Sequence, residues 1–125
     1  MKRLHIDTWL DDVYHVPMML CIGPFDLMSK WVQKRYDIRP EPRNDDAGAC
    51  TLYVQTTDGY DKILFWFPSY PRRLDVEGIG MIAHEALHAT FFVLLARGLV
   101  VTQQEHETFT YYHSWVLRQL LKRLR

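Results

Sequence analysis

The residues best able to do chemistry stand together in one H-E-x-x-H segment, His84-Glu85-Ala86-Leu87-His88. If this segment is helical, side chains four residues apart lie one turn apart on the same face, so both imidazoles can reach one ion. Neutral histidine nitrogens are common zinc ligands, and two of them supply half of a tetrahedral site. Glu85 is displaced by about 100° around the helix from His84. From there its carboxylate can take a proton from zinc-bound water without ligating the metal.

A hydrolytic zinc also needs a third protein ligand and an open fourth position. The next predicted helix offers three candidates for that ligand: Glu105, His106 and Glu107. Thr102 to Glu105 matches a capping box, so the Glu105 side chain is expected to fold back onto the backbone. Glu107 lies beyond the box, with Tyr111 one turn further along the same face. The pattern therefore favours Glu107 as the third ligand, with His106 and Glu105 as alternatives.

This arrangement resembles the gluzincin class of zinc metallopeptidases. In that class H-E-x-x-H is followed, about eighteen to twenty residues later, by a glutamate on the next helix. The matching positions are His84, Glu85 and His88, then Glu107, and the resemblance covers residues 75–112. It is closest to the very small metallopeptidase-like proteins encoded by bacteriophages and prophages. Tyr111 stands where larger gluzincins carry an aspartate that supports a ligand histidine.

The resemblance implies zinc-dependent hydrolysis of peptide bonds in a peptide or protein substrate. Zinc would be held by His84, His88 and Glu107. Glu85 would activate a zinc-bound water, and Tyr111 would donate a proton to the oxyanion. The resemblance also implies a minimal zincin-like fold, in which the strand before the metal helix pairs with extended substrate backbone.

Two non-catalytic interpretations stay open beside the peptidase. In the first, a structural zinc joins two helices, and His106 or His113 completes a closed site of four protein ligands. In the second, a metallopeptidase-like domain is repurposed for protein binding and keeps its H-E-x-x-H without turnover. Counting ligands separates the first from the enzyme, because an exchangeable water on the metal favours catalysis.

The elements that must position these residues follow the order β-(β)-α-β-β-α-α, which predicts an α+β domain with segregated helices. β-branched and aromatic runs predict four strands in a small antiparallel or mixed sheet: 5–9, 14–22, 49–57 and 62–67. Pro17 lacks a backbone donor, so the second strand is expected at an edge or broken. By the resemblance, 62–67 is the strand on the substrate side. Asp58-Gly59 predicts a hairpin turn, and 39–48 predicts a loop.

Three helices are predicted: Pro24 to Tyr36, Leu74 to Arg97, and Thr102 to about Leu124. The middle one carries the H-E-x-x-H and is apolar nearly all the way round, which predicts a central, buried helix. Asp75 is expected to cap its start, and Gly98 to follow its end. Burying two unpartnered imidazoles in such a helix would cost several kcal/mol, which favours a metal site there.

Length and composition limit the remaining possibilities. The chain has 125 residues, of which 48% are hydrophobic, so we expect a single domain, 1–125, with a real core. Fifteen basic side chains balance fifteen acidic ones, which argues against nucleic acid or an anionic membrane as a partner. The longest apolar stretch, 86–96, is shorter than the ~20 residues of a bilayer span, and no signal peptide is evident. A cytoplasmic protein is therefore expected, with its oligomeric state open.

The two cysteines, Cys21 and Cys50, are too few for a disulfide scaffold. Both stand in apolar surroundings without basic neighbours that would activate a thiolate. They are expected to be buried thiols rather than nucleophiles.

Overall fold

The structure is a computed structural model that describes residues 3–41, 48–56, 61–70 and 75–124. Within these ranges the elements are β1 His5–Leu10, β2 Pro17–Ile22, α1 Phe25–Tyr36, β3 Cys50–Val54, β4 Lys62–Phe67, α2 Val76–Ala96 and α3 His106–Arg123. The predicted α+β class and the predicted order of elements are confirmed. The turn expected at Asp58-Gly59 and most of the expected loop at 39–48 lie outside the described residues.

The chain forms two compact units, Met1–Tyr70 and Pro71–Arg125. The first contains the four strands and α1, and is called the sheet unit below. The second contains α2 and α3, and is called the helix-pair unit.

The sheet of the sheet unit is mixed, with its strands in the order β1-β2-β4-β3. β1 pairs antiparallel with β2, β2 pairs parallel with β4, and β4 pairs antiparallel with β3. The register places Cys21 of β2 and Cys50 of β3 on either side of Trp66 in β4. Cross-strand neighbours point to the same face of a sheet, so these three side chains form one row.

The second strand, predicted over 14–22 as either an edge strand or one broken by Pro17, is broken there, because β2 begins at Pro17. β2 is nevertheless an interior strand, since a missing backbone donor is tolerated at the first residue of a strand. The expectation about β4 is wrong. β4 is also interior, with β2 on one side and β3 on the other. Its backbone groups therefore already pair with neighbouring strands, and β4 cannot add a substrate strand as the resemblance implied.

The core of the sheet unit lies between one face of the sheet and α1. Phe25, Met28 and Val32 recur at helical spacing and are buried on the same side of α1. The Phe25 ring meets Trp66 edge-on at 5.2 Å, and the Trp66 indole Nε1 donates to the Gly23 carbonyl at 2.9 Å. This hydrogen bond helps to hold the chain between β2 and α1 against the middle of the sheet.

Gly23 is required at the start of α1. Its φ of 149° is a conformation that L side chains rarely adopt, and a Cβ there would lie 2.5 Å from the Arg3 carbonyl oxygen. The backbone that leads into β1 therefore approaches closely only because Gly23 has no side chain.

In the helix-pair unit, Asp75 caps the start of α2, as the sequence predicts. The Asp75 side chain accepts a hydrogen bond from the Gly78 backbone N–H at 2.9 Å, as expected of an N-cap. Gly98 follows the helix with a φ of 80°, the left-handed conformation expected after a helix end. α3 packs against α2, and the Phe91 and Phe109 rings lie 5.6 Å apart.

The expectation that α2 is buried all round is wrong. Its buried residues, Ile82, Glu85, Ala86, Ala89, Thr90, Val93 and Leu94, occupy one side of the helix. Leu87 and Leu95 on the other side are 41% and 50% exposed. Apolar atoms make up more than half of a typical protein surface, so an apolar sequence does not by itself determine which face is covered.

By length and composition alone, α2 would qualify as a membrane-spanning helix. The core helix of a soluble protein meets the same two criteria, so this observation carries little weight. The cytoplasmic location stays a prediction.

Candidate metal centre

The H-E-x-x-H segment lies in the middle of α2, and the helix brings its two histidines together as the spacing predicts. The Nε2 atoms of His84 and His88 are 3.1 Å apart. Their rings meet nearly perpendicular, with centroids 4.7 Å apart. Both imidazoles therefore direct the same ring atom toward one point beside the helix.

This separation suits two ligands of one ion. Two nitrogens bound to a tetrahedral zinc at 2.0–2.1 Å stand about 3.3–3.4 Å from each other. The observed 3.1 Å is close to that value, so small side-chain movements allow both nitrogens to bind zinc. The same distance also suits a hydrogen bond from one Nε2–H to the other Nε2 lone pair.

Glu85 lies directly beside the pair. Its carboxylate Oε2 is 4.0 Å from the His84 Nε2, and its side chain is only 5% exposed, whereas that of His84 is 68% exposed. One step along the helix therefore separates a ligand candidate on the surface from a carboxylate on the buried side. This is the relation that the roughly 100° displacement per residue predicts.

The expectation that His84 and His88 are buried is wrong. Two imidazoles in a buried helix would need a metal or another partner to offset their desolvation, but His84 and His88 lie on the exposed side of α2. Their case as ligands therefore depends on the convergence of the two Nε2 atoms alone.

α3 presents its predicted site residues away from its packed face. That face consists of Phe109, Tyr112, Val116 and Leu120. Glu107 and Tyr111 each lie two residues from Phe109, which places them about 200° around the helix from it. Accordingly, the Glu107 side chain is 66% exposed and sits 3.4 Å from the His106 Nε2, while Tyr111 is 73% exposed.

The other two candidates for the third ligand stand near the start of α3. His106 is its first residue, and its side chain is half exposed. Glu105 precedes the helix, and its backbone N–H donates to the Thr102 hydroxyl at 3.0 Å, which is one half of the predicted capping box.

Across residues 3–41, 48–56, 61–70 and 75–124, no three His, Cys, Asp or Glu side chains are arranged to hold a metal ion. The zinc site with three protein ligands therefore stays a prediction, as do the assignments of Glu107 and Tyr111 to it.

His113 is the α3 side chain that does reach α2 near the histidine pair. Its Nε2 lies 3.0 Å from the carbonyl oxygen of Ala83, the residue immediately before His84. Helical spacing could have predicted this contact. His113 is four residues after Phe109 and three before Val116, and both of those residues are buried. A residue at those offsets lies at the border of the packed face.

The cysteines are buried, as expected. Burial, with a smaller contribution from the nearby Cys50, raises the pKa of the Cys21 thiol from 9.0 to about 12. Cys21 therefore stays a neutral thiol at physiological pH, which makes it a poor nucleophile and a poor metal ligand.

Searches of family models, curated proteins and solved structures returned no match to this chain. The similarity to gluzincins thus depends only on the H-E-x-x-H segment and on the residues that follow it.

Proposed function

We propose that this chain is a zinc-dependent hydrolase that cleaves peptide bonds. The observation that supports it is the convergence of the His84 and His88 Nε2 atoms to 3.1 Å, with the Glu85 carboxylate beside them. Two converging imidazoles and one adjacent carboxylate are the minimum set that this chemistry requires from a single helix.

Each residue of the segment has a distinct role in the proposal. His84 and His88 hold the ion through Nε2. Bound zinc supplies Lewis acidity, which polarises a peptide carbonyl and makes water easier to deprotonate. Glu85 accepts the proton of the attacking water and then passes it to the departing amine. Because Glu85 is buried, its carboxylate is held in place instead of sampling solvent.

The proposal needs one more protein ligand, and the resemblance to gluzincins assigns it to Glu107. The resemblance likewise assigns the role of proton donor to Tyr111. Both side chains lie on the exposed side of α3.

The experiment combines metal analysis with a cleavage assay. The protein is purified without chelators, its zinc content is measured, and cleavage of fluorescein-labelled casein and of a mixed peptide library is followed by mass spectrometry. Glu85→Gln keeps the size of the side chain but cannot accept the proton. We expect it to retain zinc and to lose cleavage by on the order of 10²–10⁴-fold. His88→Ala should lose both the zinc and the cleavage.

A matched control is His5→Asn, which changes an exposed histidine on β1 and should alter neither the zinc content nor the cleavage. Wild-type protein that takes up no zinc from a zinc-containing buffer would refute the proposal. Cleavage that persists in Glu85→Gln would refute the assigned role of Glu85.

One observation keeps the structural-zinc interpretation as a second candidate, namely the contact of His113 on α3 with the backbone of α2. A metal that joined the two helices would raise the melting temperature without supporting turnover. Zinc-dependent stabilisation together with inactive wild-type protein in both cleavage assays would favour this second function.

A further inference from the structure

A polar groove lies in the sheet unit, beside the end of α1. Its volume of about 780 Å³ is in the range of small-molecule sites. Among the described residues, the lining consists of 34–38 at and just beyond the end of α1, Gln55 and Thr56 after β3, and Lys62 at the start of β4. Three elements of the sheet unit therefore meet around one open space.

The charges in this lining are mostly positive. Lys34, Arg35 and Lys62 each carry a positive charge, whereas Asp37 carries the one negative charge among the described lining residues. Lys34 and Arg35 lie in the last turn of α1, whose carbonyl end carries roughly half a negative charge. Compensation of the helix dipole therefore leaves more than one positive charge in excess, and the groove favours an anion.

The Tyr36 ring holds two of these cations in place. The Arg35 guanidinium carbon lies 5.9 Å from the ring centroid and the Lys62 Nζ lies 5.6 Å from it, both within cation–π distance. The Arg35 Nε also donates to the Tyr36 hydroxyl at 3.3 Å. That hydroxyl in turn donates to the Met19 Sδ on the interior strand β2, also at 3.3 Å. The ring is thus anchored to the core, so the two cations need little ordering when a ligand binds.

The Arg35 guanidinium can bind an anion without losing these contacts. Its Nε donates to Tyr36, and its guanidinium carbon lies 5.6 Å from the Trp31 ring. The two terminal nitrogens donate in the plane of the guanidinium, which is the geometry that binds a phosphate with two parallel hydrogen bonds. Gln55 and Thr56 add neutral hydrogen-bonding groups to the same lining.

We propose that this groove binds a small phosphorylated ligand, whose phosphate groups are held by Arg35 and Lys62. A phosphate monoester carries nearly two negative charges at neutral pH and several acceptor oxygens, which matches the positive excess. The three cations form one local cluster, and the chain as a whole has no net charge to attract a nucleic acid over a distance. This site is independent of the proposed zinc site.

The first test titrates inorganic pyrophosphate into the full chain and follows the amide NMR signals. At physiological salt we expect saturable shifts at 34–38, 55–56 and Lys62, and no shifts in α2 or α3. His88→Ala, which removes the proposed zinc site, should bind pyrophosphate as the wild type does. This comparison excludes pyrophosphate that is bound through a metal ion.

The second test removes one cation at a time. Arg35→Gln and Lys62→Gln should each raise the Kd for pyrophosphate by about 10–100-fold, the effect of losing a charge-assisted hydrogen bond. Arg35→Lys keeps the charge but not the planar donor pair, and should lose less. Arg118→Gln is the matched control, because the Arg118 guanidinium carbon also lies over an aromatic ring, 5.6 Å from the Trp115 centroid. It changes the net charge equally and should leave the Kd unchanged.

Four results would overturn the proposal. One is wild-type protein that shows no saturable shifts with millimolar pyrophosphate, which is informative even if a variant fails to fold. Another is an equal loss of affinity in Arg35→Gln and Arg118→Gln, because net charge alone would then determine binding. The third is malonate, a small dicarboxylate, binding as tightly as pyrophosphate. The fourth is a single-stranded oligonucleotide that binds more tightly and is weakened by the same variants, which would assign the groove to nucleic acid.

Discussion

In the sheet unit, the two thiols in the row Cys21, Trp66 and Cys50 are both buried. In the helix-pair unit, His84 and His88 lie on the exposed side of α2 with their Nε2 atoms converging. The first unit keeps its thiols away from water and ligands, and the second presents its histidine pair to solvent. Exposure combined with convergence, and not the residue type alone, distinguishes a candidate site from core packing.

The largest expected effect on stability comes from substituting two adjacent leucines that lie on opposite sides of α2. Leu94 is fully buried and Leu95 is 50% exposed. Leu94→Ala should lower the free energy of unfolding by about 3 kcal/mol, because it leaves a cavity in a packed region. Leu95→Ala should lower it by less than about 1 kcal/mol. Urea unfolding followed by circular dichroism measures both, and equal losses would show that the exposed side of α2 is covered in solution.

The next prediction compares the stability cost of replacing one glycine in each unit by alanine. Gly23→Ala combines an unfavourable φ with a Cβ that would lie 2.5 Å from the Arg3 carbonyl, so it should cost about 3 kcal/mol. Gly98→Ala also has a positive φ, but nothing lies within 4 Å of the added Cβ, and it should cost about 1 kcal/mol. The difference between the two variants in the same unfolding assay isolates the backbone contact. Equal costs would mean that Arg3 moves aside.

The third effect concerns pH and the buried thiol of Cys21. Folding raises its pKa from 9.0 to about 12, so the unfolded chain releases the proton first as the pH rises. Stability should be insensitive to this group below pH 9 and should fall between pH 9 and 12, by at most about 1.4 kcal/mol per pH unit.

Other groups titrate in the same alkaline range, so the measurement is a comparison with Cys21→Ala. The unfolding free energy of the wild type should fall more steeply with pH than that of the variant. Parallel curves would contradict the raised pKa. As an independent check, a thiol reagent at pH 8 should label Cys21 slowly in the native protein and rapidly in urea.

The smallest effect concerns the start of the metal helix. Asp75→Ala removes the acceptor for the Gly78 N–H and should cost about 1 kcal/mol. Asp75→Asn keeps a side-chain acceptor and should cost only a few tenths of a kcal/mol. Zinc affinity should be the same in both variants, since the cap lies more than two turns from His84. A change in zinc affinity would mean that the helix start and the histidine pair are coupled.

Local patterns were enough to predict most of the fold. The four strands, the three helices and the Asp75 cap all follow from alternation, helical periodicity and capping chemistry. The position of each strand in the sheet did not follow, because it depends on pairing between distant segments. β4 therefore appeared available to a substrate, although β2 and β3 occupy both of its sides.

For the candidate site as well, the sequence predicts relations within one helix but not relations between two helices. The spacing of His84 and His88 on one helix predicts their convergence, because both lie on the same rigid element. The partner residue on α3 depends on the rotation of that helix about its axis. Spacing from His88 contains no information about this rotation, whereas the buried stripe through Phe109, Tyr112 and Val116 does. The stripe places His113, and not Glu107, at the border of the face that contacts α2.

The two histidines of the pair lie one turn apart on a single helix, and this has a consequence for how the chain folds. Forming the first turn is the costly step in making a helix. An ion held by both imidazoles would stabilise one helical turn of α2 and would offset part of that nucleation cost. Metal capture and helix growth would then reinforce each other during folding, before α3 has docked.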